Sequence, residues 1–312
     1  MKVAFLFPGQ GSQKVGMGKD IYDNFESARK IYDKASGILG FDVAKLCFES
    51  SDEELMKTEN AQLSIFITSL AILEVLKEKG IKADISAGLS LGEYSALVYG
   101  GYISLEDGIK LIKKRGYLMG NLAPKEDFSM AAVIGCPSSI IENICKNINE
   151  KGLFVTPANY NYSGQTVISG NQDAVELATK DLMEAGAAKV IKLKTSGAFH
   201  TEKLLDASNA FSEELSKVEF LNGEISVIKN IDGMPFTDKD DLKDILAKHI
   251  INPVRFDKTM EYMKEQGIDT FIEIGPGKAL TGFVKKELSD VNTFNVCSVE
   301  ELEKLEEVYY GK

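Results

Sequence analysis

Apolar and polar positions change period several times along this chain. Residues 2–7 are almost wholly apolar and stop at Pro8-Gly9, which predicts a short buried strand. Over 62–79 the period lengthens. Leu63, Phe66, Ile67, Leu70, Leu73 and Leu76 recur at helical spacing and Gly80 closes the run, predicting a long buried helix. Asp84-Ile85-Ser86-Ala87 and Thr270-Phe271-Ile272-Glu273-Ile274 read as further strands. The second leads into Gly275-Pro276-Gly277 and a helix over 280–287.

The middle of the chain keeps a different order. Strands are predicted at 130–135, 153–159, 165–169 and 189–194, with helices at 138–150 and 173–185. That is the β-α-β-β-α-β order of a ferredoxin-like unit. The expected architecture is therefore α/β. A large domain with a mainly parallel sheet is built from residues 1–123 and 195–312, and a small ferredoxin-like domain over 124–194 is inserted into it. Pro124 and Thr195-Ser196-Gly197 are the expected hinges. No internal repeat or low-complexity segment interrupts the pattern.

Composition narrows the class without changing the architecture. With 312 residues, 44% hydrophobic and 27% charged, the chain is an ordinary globular protein. A net charge of −11 repels nucleic acid and anionic membrane, so neither is expected as a partner. No apolar run reaches the ~20 residues of a membrane span, and the opening strand is too short for a signal-peptide core. Cys47, Cys136, Cys145 and Cys297 show no metal-ligand spacing and read as buried thiols of a reducing cytoplasm. Two histidines leave a histidine-rich zinc site unsupported, and no metal is expected.

Candidate chemistry begins at Gly88-Leu89-Ser90-Leu91-Gly92, a G-x-S-x-G pattern between a strand and the helix-forming Glu93-Tyr94-Ser95-Ala96-Leu97. A serine on such a turn is pushed out of the backbone, and glycines on either side relieve crowding. The following helix turns free N–H groups toward it, where negative charge is stabilised. Ser90 is thus a candidate nucleophile and the Leu91 N–H a candidate oxyanion donor. A serine needs a base, and only His200 and His249 are present. His200 sits just past the expected insert, at an inter-domain cleft. His249 ends a helix before Asn252-Pro253, where a polar side chain is common without function. His200 is the favoured base.

Arg115 breaks a pattern. In the helix that starts at Ser104-Leu105-Glu106-Asp107, it falls inside the apolar arc of Leu105, Ile109, Leu111, Ile112, Leu118, Met119 and Leu122, while Lys110, Lys113 and Lys114 face water. A guanidinium there needs an anion, either an internal Asp or Glu or the carboxylate of a substrate. The loop Pro8-Gly9-Gln10-Gly11-Ser12-Gln13 lacks nucleotide-loop spacing but suits a tight turn that offers an oxyanion N–H. Gly275-Pro276-Gly277-Lys278 reads as another close-approach turn. Lysines 189, 192, 194, 278, 285 and 286 read as solvated faces, with a docking patch for an acidic partner as the sharper option.

These pieces together resemble the malonyl-CoA:acyl carrier protein transacylases over nearly the whole chain. The resemblance rests on Phe7-Pro8-Gly9-Gln10-Gly11-Ser12-Gln13, Gly88-Leu89-Ser90-Leu91-Gly92-Glu93-Tyr94, Lys114-Arg115-Gly116 with Met119, and Asn159-Tyr160-Asn161 with Gly164-Gln165 and Val167-Ile168-Ser169-Gly170. It continues through Gly197-Ala198-Phe199-His200, Asn252-Pro253-Val254-Arg255 and Ile274-Gly275-Pro276-Gly277-Lys278. It implies a hydrolase-like α/β domain with a ferredoxin-like insert. Ser90 is then the nucleophile, His200 the base, Arg115 the anchor of the malonyl carboxylate, and the N–H groups of Gln10 and Leu91 the oxyanion hole. It further implies that a backbone carbonyl at His249, where many relatives carry Gln, orients His200, and that the ring of Phe199 crowds branched acyl groups.

The implied reaction moves malonyl from malonyl-CoA to the phosphopantetheine thiol of acyl carrier protein through a malonyl-serine ester, for fatty acid synthesis. No metal or redox cofactor takes part, and a cytoplasmic monomer is expected. Two rivals use the same scaffold: a trans-acting acyltransferase of polyketide assembly, and an acyl thioesterase, against which Arg115 argues. A non-catalytic binding protein would not need Ser90, His200 and Arg115 together.

Overall fold

The computed structural model describes residues 1–124, 127–195 and 197–311. Its strands are β1 (Val3–Phe7), β2 (Ile85–Gly88), β3 (Phe128–Ile134), β4 (Val155–Tyr162), β5 (Gln165–Asn171), β6 (Lys189–Lys192), β7 (Ser226–Val227), β8 (Val254–Arg255), β9 (Thr270–Ile274) and β10 (Asn292–Val296). One sheet runs β10-β9-β1-β2-β7, every neighbouring pair parallel. Parallel strands covered on both faces are buried at every position, as are β1, which is wholly apolar, and β9, which buries Thr270 and Glu273 among apolar residues. Their C-terminal ends open into Pro8-Gly9 and Gly275-Pro276, and β2 ends at the turn that carries Ser90. The loops singled out in the sequence therefore share one edge of the sheet, where open α/β sheets bind ligands.

The second sheet runs β6-β3-β5-β4-β8. The order of β3 to β6 and their antiparallel pairing are those of the expected ferredoxin-like unit, with the helices Ser138–Asn149 and Gln172–Glu184 between them. A fifth strand, β8, joins it in parallel, pairing Asn159 with Val254 and Tyr160 with Arg255. The expected hinge at Thr195-Ser196-Gly197 includes Ser196, which lies outside the described residues, as do residues 125 and 126 next to the expected hinge at Pro124.

The helix Thr58–Glu78 corrects one reading of the sequence. At 21 residues it is long and apolar enough to cross a membrane, contrary to the expectation that no run qualifies. Nearly all of it is buried as the central helix of the fold, packed against the helices Glu26–Leu39 and Leu105–Asn121. It starts four residues before the apolar period does, because Thr58 and Asn60 are also buried.

Candidate active site

The tight turn after β2 holds Ser90 at φ 54°, in the left-handed region that costs a side-chain-bearing residue about 1–3 kcal/mol. Both flanking glycines are there for space. A Cβ on Gly88 would lie 2.0 Å from the Gly92 carbonyl carbon, and one on Gly92 would lie 2.1 Å from the Phe7 oxygen. The elbow thus presses on the end of β1, and Gly9 presses back, since a Cβ there would meet the Leu89 oxygen at 2.7 Å. Gly275, at φ 133°, packs against Pro8 and Ser69 with the same lack of room. The glycine loops of the sequence are one interlocked assembly beneath the serine.

His200, buried and also left-handed at φ 58°, brings Nε2 to 2.8 Å from the Ser90 hydroxyl. Its Nδ1 faces two carbonyl oxygens, His249 O at 3.0 Å and Asn252 O at 3.2 Å. Carbonyls only accept, so in the neutral ring Nδ1 carries the proton and Nε2 is free to receive the serine's. Burial pushes the imidazole well below its usual pKa. The neighbouring His249 and Arg115 push the same way, and the two carbonyls pull against them. The ring is therefore neutral and able to act as a base across the physiological range.

Arg115 is wholly buried, as its place in the apolar arc implied, although Leu122 of that arc emerges into solvent. Its Nη1 donates to Gln62 Oε1 at 2.8 Å and Nη2 to the Ser90 hydroxyl at 3.1 Å, and the Tyr94 ring lies 5.4 Å beneath the guanidinium. Among the described residues no carboxylate comes within 4.0 Å of it, and Nε has no hydrogen-bond partner. Among those residues Arg115 therefore has no contact ion pair, and the buried Glu93 acts on it only at longer range, leaving a cation without a salt bridge beside the serine. Burial alone lowers its pKa, and a guanidinium stays charged despite that.

Leu91 precedes the helix Gly92–Gly100, so its N–H is one of the unpaired amides at a helix start. Among the described residues neither it nor the Gln10 N–H donates a hydrogen bond. Phe199, adjacent to His200, is buried in the main core. The six lysines are exposed: Lys189, Lys192 and Lys194 lie in and just after β6, Lys278 stands at the N-cap position of the helix Ala279–Glu287, and Lys285 and Lys286 lie in its last turn.

Several residues at the site were given no role by the sequence, although Glu93 and Asn252 lie within the motifs quoted above. Gln62 orients Arg115, Asn252 shares the His200 proton, and Asn230 accepts from the Ser90 N–H through Oδ1 at 2.7 Å. Glu93 is buried with Oε1 accepting from the Asn230 N–H at 2.8 Å. Its Oε2 is 2.8 Å from His249 Nδ1, an ion-pair distance, though the ring N–H does not align as a hydrogen bond. The His249 ring lies over that of His200, centroids 4.9 Å apart. A lone Gln inside the apolar 62–76 run and a Glu at the start of an apolar helix were the signals available.

An elbow serine at the C-terminal edge of a parallel sheet, paired with a carbonyl-held histidine and a buried arginine, defines an α/β acyl-transfer enzyme. Comparison with known proteins agrees. The chain belongs to the acyl transferase domain family, whose domain it matches over residues 4–304. It is 41% identical over 302 residues to the malonyl CoA-acyl carrier protein transacylase of Bacillus subtilis, covering 97% of this chain and 95% of that one. Superposition on the malonyl CoA-acyl carrier protein transacylase of Clostridium perfringens gives a TM-score of 0.96 at 41% identity, over 100% of this chain and 98% of the other. A malonyl-transacylase solved in complex with a type II PKS acyl-carrier protein gives 0.94 at 34% identity, over 97% and 98%.

Proposed function

We propose that this acyltransferase moves malonyl from malonyl-CoA to the phosphopantetheine thiol of an acyl carrier protein through a malonyl ester on Ser90. The observation that carries the reading is the Arg115 guanidinium, without a salt-bridge partner, 3.1 Å from the serine oxygen and with Nε still to be satisfied. In a malonyl thioester the carboxylate carbon is two bonds from the reacting carbonyl, about 2.5 Å. A cation this close to the nucleophile suits that spacing, and a two-point grip by a planar fork rejects uncharged acyl groups.

In the first half-reaction the Ser90 oxygen attacks the thioester carbon as His200 Nε2 takes the hydroxyl proton. The N–H groups of Leu91 and Gln10 receive the developing oxyanion, a contribution of roughly 3–4 kcal/mol per donor. Collapse breaks the carbon–sulfur bond, and His200 returns the proton to the CoA sulfur. The carrier thiol then repeats the sequence on the ester, its proton passing to His200 and back to Ser90. Phe199 narrows the pocket against branched acyl chains, and the His249 backbone holds the base. Every step is balanced by these side chains, so no cofactor is invoked.

We further assign residues 124–194 to an inserted ferredoxin-like unit within a body of 1–123 and 195–312. A separate apolar cluster spanning Ala131 to Ala187 supports that division. Four free thiols fit a reducing cytoplasm, and we take the enzyme to act there as a monomer in fatty acid synthesis. Service to a polyketide carrier is the second reading, because one similar structure holds a type II PKS carrier protein. Incubation with malonyl-CoA and each purified holo-carrier protein separates them: the partner is the carrier malonylated faster. Hydrolysis outpacing transfer to both would instead favour a thioesterase.

A further inference from the structure

One buried carboxylate touches both halves of the site. Glu93 Oε1 accepts from the Asn230 N–H at 2.8 Å, and Asn230 in turn accepts from the Ser90 N–H at 2.7 Å and donates to the Gly88 oxygen at 2.7 Å. Asn230 therefore pins the backbone on the serine's strained left-handed conformation from both sides. Glu93 Oε2 reaches His249, 2.8 Å away, whose ring lies on His200 and whose main-chain oxygen holds His200 Nδ1. Among the described residues no lysine or arginine comes within 4.0 Å of this carboxylate, yet Glu93 and His249 are both almost fully buried. Burying a carboxylate with no Lys or Arg at contact distance is costly, and an apolar residue would fill the space more cheaply.

We propose that Glu93 is a positioning residue that sets the 2.8 Å separation of the Ser90 oxygen and His200 Nε2, acting on the serine through Asn230 and on the histidine through His249. The inference rests on the reading that Ser90 and His200 carry the acyl transfer. A strand-to-helix elbow and a distant helix C-terminus are thereby locked in register by a single side chain that need not touch substrate.

The test compares the full-length wild type with Glu93→Ala, Glu93→Gln and Asn230→Ala in two assays. One is malonyl transfer to holo-carrier protein; the other is the rate at which a fluorophosphonate probe labels Ser90, which reads the serine–histidine pair without any acyl preference. Thermal unfolding is followed in parallel. Glu93→Ala and Asn230→Ala are expected to lower kcat and the labelling rate by about tenfold or more, with KM for malonyl-CoA within about threefold. Glu93→Gln keeps an acceptor for Asn230 and a polar group toward His249, and is expected to recover most of the loss.

A folded Glu93→Ala that keeps kcat and labelling within about threefold of wild type overturns the proposal. So does a loss that Gln fails to rescue. If Glu93→Ala does not fold, Asn230→Ala decides by the same criterion. A wild type that is labelled by the probe but transfers no malonyl refutes the proposed function instead, and leaves the positioning role to be judged on labelling alone.

Discussion

The Arg115 guanidinium donates to the Ser90 hydroxyl at 3.1 Å while His200 faces the same oxygen at 2.8 Å. One oxygen thus lies between an imidazole nitrogen placed to take its proton and a cation that would favour the anion left behind. On the proposed reading the cation has a second use, because Nε, which has no hydrogen-bond partner, would meet an anionic acyl group.

Replacing Arg115 by Ala should therefore separate acyl groups rather than weaken all of them alike. Loss of a charge-assisted two-point contact is expected to cost malonyl transfer roughly 100-fold in kcat/KM, about 2.7 kcal/mol, while acetyl transfer changes by less than about tenfold. Steady-state kinetics with the two CoA thioesters check this, and equal losses would remove the carboxylate-anchor role.

Acyl length should matter for the same reason. Succinyl-CoA adds one methylene, about 1.3 Å along the chain, and drives its carboxylate past a guanidinium that is fixed by Gln62 and buried on all sides. Its transfer is expected to be about 10²-fold slower than that of malonyl. Gln62→Leu, which frees Nη1, should narrow that gap in the same assay.

The pH profile follows from the direction of the His200 shift. The base works only when neutral, and burial, then His249 and Arg115, hold its pKa well below the usual 6.5. The acid limb of kcat/KM should accordingly fall well below pH 6.5, with activity kept through mild acidification. His249→Gln retains the main-chain carbonyl but removes one depressing neighbour, so it should move the limb upward. An unmoved limb would mean that the His249 ring has no influence on the base.

Much of this site was legible in the sequence because its chemistry needs rare residues in tight local patterns. Ser90 lay between two glycines that turn out to have no room for a Cβ, and Arg115 interrupted an apolar arc. The ferredoxin-like order of β3 to β6 came from uninterrupted alternation of periods. The strands β7 and β8, of two residues each, and the half-polar edge strand β10 gave no periodic signal and were not anticipated. Glu93, Asn230 and Gln62 escaped for another reason. Each acts through partners 53 to 142 positions away, a relation that only the folded chain creates.

The glycines of the elbow offer a stability test. Gly92→Ala places a methyl 2.1 Å from the Phe7 oxygen, against backbone that cannot yield without parting the helix from β1. A loss of more than about 3 kcal/mol by denaturant unfolding is expected, or failure to fold. Gly282→Ala, where nothing lies within 4 Å of a Cβ and the residue is helical, should be neutral or slightly stabilising.

Intact-mass analysis after brief mixing with malonyl-CoA, followed by peptide mapping, interrogates the Ser90 oxygen itself. Wild type should gain one malonyl group on the peptide containing Ser90 and lose it when holo-carrier protein is added, and Ser90→Ala should gain none. A malonyl adduct that persists in Ser90→Ala, or transfer without any adduct in wild type, would contradict a covalent route through this serine.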